Sequence, residues 1–289
     1  MAIDVDAALG AEPSVREVSW TQRDVLLYHL GIGAGADHLD PVELAWVHEK
    51  HPKVLPTFGM VAGQGISAGE LPAPGMNLPG IDIDLRKILH GGQSLIVHAP
   101  IPPSGRAQIS SRVADVWDKG KAAVIVLEQA AHDADGQALW TSSMQIWARG
   151  EGGFGGRPGP ETATETPDRD PDAVLVSRTS SRQALIYRLS GDMNPLHADP
   201  AFAAMAGFDQ PILHGLGTYG TVCKAVVDGV LDGDPTAIGS YSVRFAGSLY
   251  PGETIETSLW RNDNRLTLHA VCVERDRLPL LTHATMEIR

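Results

Sequence analysis

The 289 residues carry a net charge of −12, from 23 Lys and Arg against 35 Asp and Glu, with 43% hydrophobic and 20% charged residues. This is the make-up of a folded chain with one large domain or two of about 100–200 residues. The acidic balance, with no basic run, argues against a nucleic-acid partner, and no stretch nears the roughly 18 consecutive apolar residues of a membrane span.

Cys223 and Cys272 are too few for a disulfide framework and lack metal-ligand spacing. The N-terminal "MAIDVDAALG" has neither the basic start nor the apolar core of a signal peptide, and "TMEIR" at the C-terminus is no peroxisomal address. A reduced, cytoplasmic protein is expected.

In chain order, "SWTQRDVLLYHLGIGAGADHLDPVELAWV" opens with a polar cap and an apolar-periodic helix. Asp40-Pro41 then reads as a second helix start, acceptor at the N-cap and proline at N1. "LPTFGMVAGQG" and "ILHGGQ" follow, then the strand-like "AAVIVLEQAA" and "ALWTSSMQIWAR". Residues 150–172, rich in Gly, Pro and acidic residues, read as a linker. This divides the chain into 1–149 and 173–289.

The second half echoes the first. "SRTSSRQALIYRLSGDMNPLHADPAFAAM" places Ser180 and Gln183 at capping-box spacing. Aligning Tyr28 with Tyr187 brings His38 onto His197 and Asp40-Pro41 onto Asp199-Pro200 without a gap. "LPTFGMVAGQG" faces "QPILHGLGTYG", which brings Gly59 to within one position of Gly215. Beyond Gly215, Tyr219, Val222, Cys223, Val226, Val227 and Val230 form an apolar stripe at helical spacing. "SYSVRF", "TIETSLW", "RLTLHAVCVE" and "LTHATMEIR" close the half as strands. A sheet wrapped around a long apolar helix, built twice, is expected.

The mismatch carries the functional signal. Asp192 falls on Gly33 and Asn194 on Gly35, so the first copy lacks the carboxylate. Asp between helices commonly serves only as a turn former. An Asp and a His five residues apart can also share one water, as addition of water to a conjugated carbon–carbon double bond requires. That chemistry needs donors for an enolate oxygen too, and the amides at Gly215 and Gly217, opening the apolar helix, are open to approach.

"YRLSGDMNPLHADPAFA" resembles the signature of the hydratase 2 family, the (R)-specific enoyl-CoA hydratases of the MaoC-like hot-dog superfamily. Tyr187, Gly191, Asp192, Asn194, Pro195, Leu196 and His197 match it. The resemblance covers nearly the whole chain and implies an α+β, double hot-dog fold, with a central helix in each half. It implies Asp192 and His197 as the acid/base pair, Asn194 as an orienting partner and the Gly215 amide as an oxyanion donor. The first half would accommodate the acyl chain. His38, kept without an Asp, reads as a relic or a surface residue. His90, Gly91 and Gln93 could line the substrate path or simply end a strand. Arg188, Lys224 and Arg244 could meet the phosphates of CoA, against solvated surface positions as the default. Tyr187 reads as a packing residue.

No cofactor or metal is expected, the CoA thioester being the substrate, and a homodimer is expected from the family. His197 as base and Asp192 as acid is the working assignment, and the pair would titrate as a unit. A dehydratase on acyl-carrier-protein or sterol side-chain thioesters, a hot-dog thioesterase and an acyl-CoA-binding module remain as alternatives.

Overall fold

A computed structural model describes residues 3–50, 52–66, 78–83, 88–160 and 166–289. The first half contributes five strands, β1 (Ser14–Trp20), β2 (Ile88–Val97), β3 (Gly105–Asp118), β4 (Ala122–His132) and β5 (Ala138–Arg149), with helices α1 (Val5–Leu9), α2 (Gln22–Gly31) and α3 (Pro41–Val47). The second contributes β6 (Ala173–Arg178), β7 (Ile238–Phe245), β8 (Thr254–Asn262), β9 (Arg265–Cys272) and β10 (Leu278–Ile288), with α4 (Gln183–Tyr187), α5 (Pro200–Met205) and α6 (Gly215–Val230).

All ten strands join in one antiparallel sheet, in the order β1-β3-β4-β5-β2-β7-β10-β9-β8-β6. Read inward from either edge, each half runs first, third, fourth, fifth, second strand. The two second strands meet at the centre, with Gly92 opposite Arg244 and Leu95 opposite Tyr241. The same order from both edges is the mark of a duplicated unit, and the whole is a double hot-dog.

Local chemistry sets the helix starts. Asp40 accepts the N–H of Val42 and Asp199 that of Ala201, each with proline next in sequence. α2 begins where Asp24 accepts both the N–H and the hydroxyl of Thr21. At α4 only half of the expected capping box forms. Gln183 reaches back to the Ser180 N–H, but the Ser180 hydroxyl takes the N–H of Arg182, and the helix is a short turn and a half.

The sheet wraps α6. Tyr219, Val222, Cys223, Val226 and Val227 are all buried in one apolar cluster with Trp20, Tyr28 and Trp140 of the first half and Tyr241 and Leu268 of the second. Burying one such side chain is worth roughly 1.5–3 kcal/mol, so this stripe is a main anchor of the fold. The halves also meet closely at Gly220, where a Cβ would lie 2.5 Å from the Tyr28 hydroxyl and 2.8 Å from Ile32.

Among the described residues the long helix occurs once, not twice. Its counterpart in the first half is a 3₁₀ turn, Pro56–Met60, after which Gly63 takes the left-handed region at φ +73° against Val18 and ends any helical run. α6 serves both halves instead. Lys224 on α6 is buried and pairs with Glu43 of α3 at 2.8 Å and with Asp228 at 2.9 Å, and Trp46 donates to Asp228 at 2.9 Å. Lys224 is therefore no surface phosphate partner.

The described part of the 150–172 stretch has no regular structure up to β6, yet residues 153–159 are docked. The Asp118 carboxylate accepts from Gly153 and Gly155, Arg157 pairs with Asp115, and Gly159 lies on the Trp117 ring. Residues 161–165 of that stretch lie outside the described residues. Cys223 and Cys272 are buried free thiols. No helix among the described residues is long and apolar enough to cross a membrane.

Candidate active site

The site grows from the turn after α4. The chain leaves a 3₁₀ turn, Arg188–Ser190, through Gly191 at φ +129°, where a Cβ would come within 2.5 Å of Gln64 of the first half. Only glycine fits there, so the first half shapes the loop that carries Asp192. The two copies differ in backbone as well as in sequence. The first half uses left-handed glycines at 33 and 35 and the second at 191, so Gly33 is not simply an Asp192 without its side chain.

Asp192 closes the turn with one carboxylate oxygen and turns the other towards His197. Its Oδ1 accepts the N–H of Asn194 at 3.1 Å, closing an Asx turn. Its Oδ2 lies 3.9 Å from Nε2 of His197. The Asp192 side chain is 52% exposed and that of His197 only 9%, so one member of the pair faces solvent and the other is buried. Asn194 spends its own Oδ1 on the N–H of Leu196 at 3.0 Å, capping the 3₁₀ turn Pro195–His197. It shapes the loop and is itself exposed.

The tautomer of His197 follows from its other nitrogen. Nδ1 lies 2.8 Å from the carbonyl oxygen of Ile212, which can only accept, so Nδ1 carries the proton. Nε2 is left with its lone pair towards Asp192. Burial lowers the imidazole's affinity for a proton; the Ile212 carbonyl and the Asp192 carboxylate oppose that shift, and Arg188 adds to it. A gap of 3.9 Å between a lone pair and a carboxylate oxygen suits one shared water.

A residue the sequence reading passed over completes the cluster. His214, the residue before α6, is buried and its ring stacks on that of His197, with centroids 3.6 Å apart at 25°. Its Nε2 lies 3.1 Å from the carbonyl oxygen of Asp192, and its Nδ1 is buried without a partner. Burial first, and then the neighbouring His197, push it down to about 3. Tyr187 lies against its other side, centroids 4.7 Å apart at 46°. Asp192, His197 and His214 offer ligand atoms within 4.8 Å of one another, as a metal site would. The stacked rings lie in nearly parallel planes, however, and an imidazole lone pair lies in its ring plane, so the two point past any single ion.

Gly215 opens α6 directly after His214, and its amide belongs to the first turn, which has no partner within the helix. The Phe245 ring stands against it, 3.3 Å from where a Cβ would be. His90 packs on the same ring, centroids 4.6 Å apart, and its Nε2 lies 3.1 Å from Gln93 Oε1. Burial holds His90 at about 4. The "HGGQ" stretch is thus a bulged strand end beside the site, the bulge falling between His90 and Gly92.

Arg244 is placed differently. Strand alternation turns Tyr241, Val243 and Phe245 towards α6 and Ser242 and Arg244 to the opposite face, where Arg244 is exposed. A cavity of about 670 Å³ spans this seam, lined by His90, Gly91, Gln93, Arg244 and Phe245 among others; Asp192 and His197 do not line it. Of the residues that line it, Phe245 also stands against Gly215. Arg188 lies beside the loop and donates to the Met193 carbonyl at 3.2 Å, and His38 is exposed.

Among the described residues, a ten-stranded sheet around one long helix, with Asp192 and His197 gathered beside the residue that precedes that helix, defines the class of tandem hot-dog proteins. Residues 162–278 match the MaoC like domain and residues 18–150 the MFE-2 hydratase 2 N-terminal domain. The chain belongs to the hydratase 2 family of MaoC-like proteins. It is 50% identical over 282 residues to an enoyl-CoA hydratase, ChsH3, of Mycobacterium tuberculosis, covering 98% of each chain. It is 39% identical over 254 residues to the peroxisomal multifunctional enzyme type 2 of Mus musculus, covering 86% of this chain and 34% of that protein. A MaoC-like dehydratase from Phytophthora capsici superposes with a TM-score of 0.88 at 31% identity, over 99% of both chains.

Proposed function

We propose that the protein interconverts trans-2-enoyl-CoA and (3R)-3-hydroxyacyl-CoA, in fatty-acid metabolism, with Asp192 and His197 as the reacting pair. The observation that carries the mechanism is the pinned His197 ring. With Nδ1–H held by Ile212, the one lone pair that can accept a proton faces a carboxylate oxygen 3.9 Å away.

A water held between the two loses a proton to Nε2 as its oxygen attacks C3 of the enoyl thioester. The carbon–carbon π bond becomes an enolate, whose oxygen the Gly215 amide stabilises, with the α6 dipole behind it. The proton taken up by Nε2 then passes within the pair to the Asp192 carboxylate, which delivers it to C2 on the same face. One water is consumed, its hydroxyl on C3 and its hydrogen on C2, and the pair ends each turnover as it began. The dehydration direction reverses these steps.

Gln64 against Gly191, and His90 against the Phe245 ring that stands on Gly215, give the first half its part in this site. In the proposed division of labour, residues 1–149 shape and extend the acyl site while 173–289 carry the chemistry. Two chains assemble as a homodimer in this reading, which rests on the family.

The test is absorbance of the conjugated thioester, with trans-2-decenoyl-CoA and a coupling (R)-specific 3-hydroxyacyl dehydrogenase. Loss of conjugation with product accepted by that enzyme supports both reaction and hand. Free thiol without loss of conjugation would instead mark a thioesterase.

A further inference from the structure

We propose that His214 is a positioning residue that holds both members of the dyad at once, its ring fixing the plane of His197 and its Nε2–H fixing the Asp192 loop. The proposal rests on the hydratase reading above.

The geometry is that of a clamp. The face of His214 lies 3.6 Å from His197, centroid to centroid, while its edge reaches the Asp192 carbonyl at 3.1 Å. Tyr187 backs the ring from the other side. The mount is rigid, since the His214 carbonyl accepts the first helical bond of α6, from Thr218 at 3.1 Å, and Leu213 donates to Leu249 at 2.7 Å. The next residue is Gly215, so one side chain ties base, carboxylate loop and oxyanion donor to a single helix end.

The bare Nδ1 has a consequence. It is buried without a partner, so a second proton on His214 would leave a buried cation without an acceptor. His214 therefore stays neutral while His197 takes up a proton, and presents a neutral ring to the imidazolium. The charged and titratable groups that bear on His197 are Asp192 from its own loop, Arg188 from the preceding turn and His214 from the start of α6.

Two variants separate the two contacts. His214→Phe keeps a ring for the stack and removes the hydrogen bond; His214→Gln keeps a donor and removes the stack. In the hydration assay both lower kcat by roughly 10–100-fold, with KM within about twofold, because His214 acts through the dyad and not on substrate. In His214→Phe the acid limb of kcat/KM also moves to lower pH, because a freed loop takes the Asp192 carboxylate away from His197. In the wild type, ¹⁵N shifts keep His214 in its neutral Nε2–H form down to about pH 5.

Wild-type kcat and an unmoved acid limb in either folded variant would overturn the proposal. So would an activity loss equal to the unfolded fraction, or a cationic His214 at about pH 5. Should His214→Phe not fold, the Gln variant decides alone. Failure of the hydratase reading shows separately, as absence of turnover in the wild type.

Discussion

Gly215→Ala separates rate from stability. Gly215 is not among the left-handed glycines, so its backbone accepts alanine without strain. The new methyl would lie 3.3, 3.4 and 3.6 Å from three carbons of the Phe245 ring, which a tilt of a few tenths of an ångström relieves. Alanine favours a helix over glycine by up to about 1 kcal/mol, which offsets that crowding. For a chain of this size 1 kcal/mol moves Tm by about 2–4 °C, so the melting point is expected to stay within that range. The methyl also stands beside the amide assigned to the thioester oxygen. Complete loss of one oxyanion donor costs about 10²–10³ in kcat, and displacement of a donor that remains present is expected to cost about 10–100-fold. The assay is steady-state hydration of trans-2-decenoyl-CoA alongside thermal melting by circular dichroism. A kcat within twofold of wild type in a variant that melts normally would refute the oxyanion role and leave Gly215 as a packing glycine under Phe245.

Lys224→Met leaves Glu43 and Asp228 facing each other without their cation; with both carboxylates partly solvated, about 2–3 kcal/mol of stability is lost, measurable by urea unfolding, and adding Glu43→Gln and Asp228→Asn restores part of it. Acid is expected to destabilise the protein through His29. Its Nδ1 donates to the Trp46 carbonyl at 2.8 Å and its Nε2 accepts from the Leu55 N–H at 3.2 Å, an arrangement only the neutral ring can make. Burial holds it down to about 4 from an ordinary 6.5, so the unfolded chain binds the proton first. Its contribution is complete above pH 6.5 and is lost as pH falls towards 4, at about 1.4 kcal/mol per pH unit. His90, at about 4, and His214, at about 3, steepen the same fall, and His29→Gln should remove about one proton from the slope between pH 6.5 and 4.5.

What could be read along the chain was mostly local. The Asp-Pro helix starts at 40 and 199, the stripe of α6 and the strands at 122–132 and 138–149 are written in spacing alone. The proximity of Asp192 and His197 was legible because they lie five residues apart in one turn. His214 was not, because its meaning lies in a ring 17 positions earlier that stacks on it only after folding. Lys224 misleads for the same reason: its partner Glu43 is 181 residues away. Arg244 could have been placed better, since Tyr241, Val243 and Phe245 alternate with Ser242 and Arg244, and that period alone sends Arg244 away from the helix. That the described residues hold no second long helix is foreshadowed by Gly63 and Gly65, which follow "LPTFGMVA" where the second half continues "TYGTVCKAVV".

The most direct measurement compares wild type with Asp192→Asn in the enoyl-thioester hydration assay. Asparagine keeps an oxygen to accept the Asn194 N–H, so the turn survives, while the carboxylate 3.9 Å from His197 is gone. If Asp192 and His197 handle the protons of hydration together, the folded variant loses about 10²–10⁴ of kcat. A folded Asp192→Asn protein that hydrates the substrate within a few-fold of wild type, about 1 kcal/mol in the barrier, would contradict the account and leave Asp192 as a turn residue.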